Sequence, residues 1–180
     1  MTCLIHLNGP PGIGKSTLAA LYAHRHPGTL NLDIDSLHGL VGGWQDPDNH
    51  THEVLRPLAR AMASTHLEGG RDVILPQYLA RPEEIDAFEQ VACERGADFR
   101  EIVLLAERTE SIARFDRRVD DSAWGEHNRR IVALQGGPVF LAAMYDRLLD
   151  IVQLRPSAVI VLSEPGAIES TYAALTQAVE

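Results

Sequence analysis

Short, continuously apolar runs alternate along the chain with longer stretches whose apolar positions recur every three or four residues. Cys3–Leu7, Thr29–Asp33, Asp72–Leu75, Phe99–Ala106 and Ala158–Leu162 read as strands. Thr17–Tyr22, Glu53–Leu67, Pro82–Glu94, Thr109–Arg118, Asn128–Leu134, Pro138–Leu154 and Ala167–Val179 read as helices, with Leu37–Val41 a short one. In Glu53–Leu67 the pattern puts Val54, Leu55, Leu58, Met62 and Leu67 near one face. Pro82 and the acids behind it are a helix-start signal, and Gly69-Gly70, Gly96 and Gly136-Gly137 are stops. Trp44–Asn49 reads as loop and Val119–His127 as a polar, mobile segment. Trp44 and Trp124 thus fall in loops, where they would cover a ligand on closure or else pack into the core.

Strands that are apolar throughout and separated by helices indicate a parallel sheet covered on both faces. Five of them predict a three-layer α/β fold, expected as one domain over residues 1–180. Ligands in such sheets bind at the carboxyl ends of the strands, so the residues that follow each strand are the functional candidates.

The first strand leads into Gly9-Pro10-Pro11-Gly12-Ile13-Gly14-Lys15-Ser16 and then a helix that opens with Thr17. This fits G-x-x-x-x-G-K-[ST], the phosphate-cradling P-loop. Glycines let backbone N–H groups turn inward around a phosphate, and the helix that follows aims its positive end at the same charge. Lys15 is placed to reach the β- and γ-phosphates of a nucleoside triphosphate, and the Ser16 hydroxyl to ligate Mg²⁺. A chance match in a Gly/Pro-rich turn would occur on the order of once in a hundred chains of this length. The strand–loop–helix context lowers that further. Lys15 is also the only lysine in a chain whose other basic residues are all arginine.

The second strand ends in Asp33-Ile34-Asp35-Ser36-Leu37-His38, with carboxylates at i and i+2 on one side of an extended chain. One carboxylate could accept a proton from an attacking hydroxyl and one could hold Mg²⁺ through water. The competing role is capping of the short helix behind them. Further along, Arg114 and Arg118 stand a turn apart on one helix face, with Arg117 beside them. Their competing role is a solvated face paired to Glu110 or Asp116. Arg56, Arg60, Gln77, Tyr78 and Arg81 lie where an acceptor could bind, and Arg129 and Arg130 where they could close over phosphates. For each of these the competing reading is an ordinary surface or loop residue. His50 and His52 are either ligands or residues of a helix-entry turn.

The phosphate loop together with the Asp33–His38 segment resembles small-molecule kinases of the gluconate-kinase type, and Asp35-Ser36-Leu37 is similar to chloramphenicol phosphotransferase. The resemblance implies that Asp35 acts as base toward the substrate hydroxyl. Leu75-Pro76-Gln77 departs from those families, many of which carry an acid there, and looks more like tunicamycin-resistance-type ATP-binding proteins. Arg114-x-x-x-Arg118 resembles the start of the lid in adenylate-kinase-like enzymes. That implies Arg114 on adenine, Arg118 on the transferring phosphate, and residues 119–137 as the lid.

The net charge of −9 argues against a protein that coats nucleic acid non-specifically. Cys3 and Cys93 have no metal-ligand spacing and read as buried thiols. No apolar run reaches the roughly 18 residues of a membrane span, and none precedes the first strand as a targeting segment, so a cytoplasmic protein is expected. The expectation is an ATP- and Mg²⁺-dependent kinase for a small hydroxylated molecule, with Lys15, Asp35 and Arg118 catalytic. The alternatives are a kinase for a nucleoside or a polynucleotide 5′-hydroxyl, and a non-catalytic nucleotide-binding module. A GTPase is disfavoured, because no Asp-x-x-Gly follows the loop and the single lysine leaves none for a guanine-binding motif.

Overall fold

The computed structural model describes residues 2–180. The elements run β1 (Cys3–Asn8), α1 (Lys15–Arg25), β2 (Leu30–Asn31), α2 (Ile34–Leu37), α3 (Thr51–Glu68), β3 (Val73–Leu75), α4 (Pro82–Glu94), β4 (Asp98–Leu105), α5 (Arg108–Arg117), α6 (Ala123–Leu134), α7 (Pro138–Leu154), β5 (Val159–Leu162) and α8 (Ile168–Val179). Short 3-10 turns at His38–Leu40 and Pro47–Asn49 lie between α2 and α3. The strands form one five-stranded sheet in the order β2-β3-β1-β4-β5. Every pairing is parallel, as the long helical connections require.

β1 lies at the centre, and its alternating side chains feed both faces. Leu4 joins Val73, Leu75, Leu55 and Phe88 in the core beneath α3 and α4. Ile5 and Leu7 join Ile74, Ile102 and Leu104 in the core beneath α1 and α8, against Leu18, Tyr22, Tyr172 and Leu175. Val103 and Leu105 pack on Tyr145 and Leu148 of α7. This double burial explains why these strands read as unbroken apolar runs.

Several expectations are corrected. The core face of α3 is Thr51, Leu55, Ala59, Ala63 and Leu67. Val54 and Leu58 are 54% and 45% exposed, because the i, i+4 row of small alanines is the one that fits close against its neighbours. β5 is not covered on both faces. It is an edge strand, and Val159, Ile160 and Leu162 are exposed. Cys93 is exposed rather than buried, since α4 turns Ile85, Phe88 and Ala92 inward and position 93 falls off that stripe. Only Leu30 and Asn31 of the second run enter the ladder, because Asp33 instead caps α2. The expected loop over 119–127 is helical from Ala123, with Ser122 as N-cap accepting from the Gly125 N–H. Among the described residues no helix is long and apolar enough to cross a membrane.

Candidate active site

The carboxyl ends of β1, β2 and β3 open into a cavity of about 610 Å³, lined among others by Gly12, Lys15, Ser16, Thr17, Asp35, Gln77 and Arg118. The phosphate loop forms its floor. Gly12 sits at φ 81, and a Cβ there would come within 2.8 Å of the Phe115 backbone, so α5 can approach the loop only because this residue is glycine. Gly14, at φ 108, turns the chain into α1. The Lys15 ammonium donates to the Gly9 and Pro10 carbonyls at 2.8 and 3.0 Å, folding back over the loop that surrounds it. Burial pushes its pKa down to about 8, against the pull of Asp35 and Asp33 in the other direction.

Two strand ends, those of β1 and β3, are locked together by two buried polar side chains of β1 that the sequence did not single out. Asn8 donates to the Leu79 carbonyl at 2.8 Å and accepts from the Gly9 and Leu79 N–H groups. His6 is bonded to the Gln77 carbonyl at 3.0 Å. Burial pushes the His6 pKa down to about 4, so the ring is neutral and its Nε2–H is the donor. These bonds hold Pro76-Gln77-Tyr78-Leu79 in register with the phosphate loop. A polar residue within an apolar strand was the available signal for both.

Asp33 and Asp35 divide the two roles weighed for the pair. Asp33 caps α2, accepting from the Asp35 N–H at 3.1 Å. Asp35 lines the cavity, where its carboxylate accepts from the Gln77 amide at 3.3 Å. Burial, and then Asp33, push the Asp35 carboxyl above the usual carboxylate range, while Gln77, Lys15 and Trp124 pull it back. The Trp124 indole N–H is buried and directed at this site without completing a regular hydrogen bond.

A second cavity, of about 340 Å³, lies on the other side of the loop. Gly12, Gly14, Thr17 and Arg118 line both cavities. Its walls include Arg114 and the turn Ser163-Glu164-Pro165-Gly166 that follows β5. Arg114 is fixed there by donating to the Ser163 hydroxyl at 3.0 Å, to the Ser163 carbonyl at 2.7 Å and to Glu110 at 3.1 Å. Arg117 lines the same cavity and also donates to Glu110, at 2.7 Å. Arg118 is held by Asp120, which also accepts from the Ser122 N–H and hydroxyl. A Cβ at Gly125 would strike the Asp120 carboxyl at 2.3 Å, so this turn also needs its glycine.

Trp44 sits in the loop before α3, as expected, whereas Trp124 does not sit in a loop. Trp124 is in the first turn of α6 and stacks on His38 at 4.1 Å, with Trp44, His52 and His127 around the pair. Of these, Trp124, His52 and His127 line the larger cavity. His50 is exposed, ahead of α3 at φ 44. The remaining candidates separate. Tyr78 lines the cavity and donates to the Met144 carbonyl at 2.9 Å. Arg56 lines it too, but pairs with Glu84 at 2.5 Å. Arg81 pairs with the same carboxylate at 2.5 Å and does not line the cavity. Arg60 does not line the cavity, and Arg129 and Arg130 are exposed and do not line it either. α6 presents Trp124, His127, Asn128 and Ile131 to the cavity, so its arginines fall on the other side of the helix.

A family model described as an AAA domain matches residues 4–133, a span that includes the phosphate loop, Asp33, Asp35, Arg114 and Arg118. No curated protein matches the sequence significantly. A tunicamycin resistance protein from Deinococcus radiodurans is 15% identical, with a TM-score of 0.59, covering 97% of this chain and 96% of that one. A candidate kinase from Chloroflexus aurantiacus is also 15% identical, with a TM-score of 0.68, covering 99% and 96%. At this identity the two structures establish a shared fold. The phosphate loop, the all-parallel sheet and the matched domain together place the chain in the AAA-domain family of P-loop, kinase-like nucleotide-binding proteins.

Proposed function

We propose that the protein is an ATP-dependent phosphotransferase that moves the γ-phosphate to a hydroxyl group of a small molecule. The observation that carries this reading is the meeting of Lys15 and a buried Asp35 in one cavity. A nucleotide-binding module with no chemistry to perform has little use for a buried carboxylate of raised pKa facing its phosphate loop. In this reading the loop N–H groups and Lys15 hold the β- and γ-phosphates, and the nucleoside lies in the smaller cavity against Arg114 and the turn after β5. The acceptor hydroxyl binds at Asp35. Its oxygen attacks the γ-phosphorus, the bond to the β-phosphate oxygen breaks, ADP leaves, and the hydroxyl proton passes to Asp35. Gln77 orients the carboxylate, and its raised pKa makes it a stronger base than a solvated aspartate. Arg118, released from Asp120, reaches the charge that spreads over the transferring group. Residues 119–137 act as a lid within a single domain spanning 1–180.

Mg²⁺ fits this donor set. The Ser16 hydroxyl lines the cavity and would supply a hard oxygen ligand, to which phosphate oxygens and water would add. When bound, the ion supplies charge neutralisation at the phosphates. A polynucleotide acceptor is disfavoured, because a phosphate track needs free cations and Arg56 and Arg81 are both committed to Glu84.

The test is ³¹P NMR of the protein with Mg-ATP and a panel of small alcohols. The reading predicts a new phosphate-monoester signal with one class of alcohol, growing in step with ADP. Release of inorganic phosphate alone, or no ATP turnover with any alcohol, contradicts it.

A further inference from the structure

The acceptor end of the larger cavity is built from rings. Trp124, His52 and His127 line it, and His38, stacked at 4.1 Å on Trp124 with an interplanar angle of 19°, supports the indole from behind. Trp44 lies 5.8 Å from Trp124 and 5.1 Å from His127, edge-on to the latter. The five residues come from four separate parts of the chain: the turn after α2, the loop before α3, α3 itself and α6. A helix packed on this region by apolar contact alone would be served by aliphatic side chains. Here polarisable rings meet one another instead, one pair stacked and the others tilted or edge-on.

The polar atoms at this end are also incomplete. The Trp124 indole N–H and the Gln77 amide oxygen are buried with no partner, one a donor and the other an acceptor. Both ring nitrogens of His38 are likewise buried and unpartnered. Unpaired buried polar atoms cost stability unless something completes them. Among the described residues, the cation beside these rings is Arg56, and it is paired with Glu84 at 2.5 Å, while Lys15 and Arg118 line the cavity at the phosphate loop. Burial lowers the pKa of His38 and of His52, so these rings add no positive charge near neutral pH.

Building on the phosphotransferase reading, we infer that the acceptor is an uncharged alcohol carrying a planar aromatic or heteroaromatic ring. The ring lies against Trp124 between His52 and His127, and the hydroxyl reaches Asp35 beside Gln77. A ring edge with one hydrogen-bond acceptor and one donor would satisfy the Trp124 N–H and the Gln77 carbonyl. A phosphorylated or carboxylated acceptor is excluded by the lack of a free cation beside the rings, and an aliphatic polyol would leave the ring faces without a partner.

The chain has two tryptophans, and both lie in this cluster. Intrinsic fluorescence therefore reports binding here whether or not phosphate is transferred. The test titrates the protein, with Mg-ADP present, using two matched pairs: 2-phenylethanol against 2-cyclohexylethanol, and uridine against ribose. The inference predicts saturable quenching by at least one ring compound, with affinity about tenfold above its ringless partner. In Trp124→Leu, read through Trp44, that preference falls to about onefold, while Trp124→Phe retains it. Far-UV circular dichroism and ADP affinity control for folding in both variants. Equal binding of ring and ringless compounds, or full preference retained in Trp124→Leu, overturns the inference. The same alcohols in the ³¹P assay separate the two claims. Ring-selective binding without transfer would sink the phosphotransferase reading and leave the ring site standing. Equal transfer to ringless alcohols would sink the ring site and leave the phosphotransferase standing.

Discussion

The two sides of the phosphate loop are built on different principles. The side proposed for the nucleotide combines the loop backbone with Arg114, pinned to the Ser163 carbonyl at 2.7 Å. It suits a ligand whose phosphates are always the same. The side proposed for the acceptor is mostly side chains, gathered from distant elements around Asp35, with aromatic rings among them. Backbone recognition survives sequence change and is shared across a family. Side-chain recognition is where one member departs from another. The nucleotide side should therefore behave like that of any relative, while the acceptor side carries what is particular to this protein.

Substitutions can break that division. Lys15→Ala should lower phosphoryl transfer about 10³-fold, since one charged donor to the reacting phosphate is lost. ATP affinity should fall with it and acceptor binding by fluorescence should not; loss of both would mean the two sides are not separable. Gly12→Ala has to push Phe115 backbone atoms away from 2.8 Å while holding a positive φ. The expected cost is about 1–3 kcal/mol, seen as a lower denaturation midpoint, with nucleotide affinity falling too because α5 moves. Arg114→Ala should raise KM for ATP about tenfold and leave KM for the acceptor alone. An equal rise in both would contradict the placement of the nucleoside in the smaller cavity.

The smallest effects are on pH dependence. Asp35 must be ionised to act as base, and its pKa lies above the ordinary carboxylate range, so kcat/KM should fall on acidification at a pH higher than a solvated aspartate would give. The Gln77 bond lowers that pKa, so Gln77→Leu should move the acid limb to still higher pH. Lys15 works in the opposite sense. Its ammonium form holds below about 8 in the free protein, so nucleotide affinity should weaken as pH rises through that value. A bound triphosphate stabilises the ammonium and should shift the loss upward.

The nucleotide side was legible because its determinants are contiguous. Gly9 to Ser16 specify a turn, a charge and a helix start within one short stretch, and the sheet behind them shows as buried apolar runs. Arg114 was legible in part: its spacing from Arg118 pointed to function, but its anchor, Ser163, is 49 positions away. The acceptor side was mostly hidden. Trp124, His38 and His52 belong to three elements, and no local pattern says that they stack. Ser122 was the signal that was missed, because an N-cap there starts α6 early enough to turn Trp124 inward rather than leave it in a loop. Arg56 and Arg81 misled for a related reason. A sequence displays two free cations, whereas in the fold Glu84 neutralises both.

The central claim is that Asp35 serves as the base for an acceptor hydroxyl set against the phosphate loop. Asp35→Asn keeps the shape and the Gln77 contact while removing the proton acceptor, and it relieves a buried charge, so thermal stability should hold or rise. The direct measurement is single-turnover transfer from ATP to whichever alcohol the ³¹P screen identifies, wild type against Asp35→Asn, with ADP affinity measured alongside. The rate in Asp35→Asn should be lower by about 10²- to 10⁴-fold at unchanged ADP affinity. A rate within a factor of about three of wild type, in a folded variant that binds ADP normally, would contradict it.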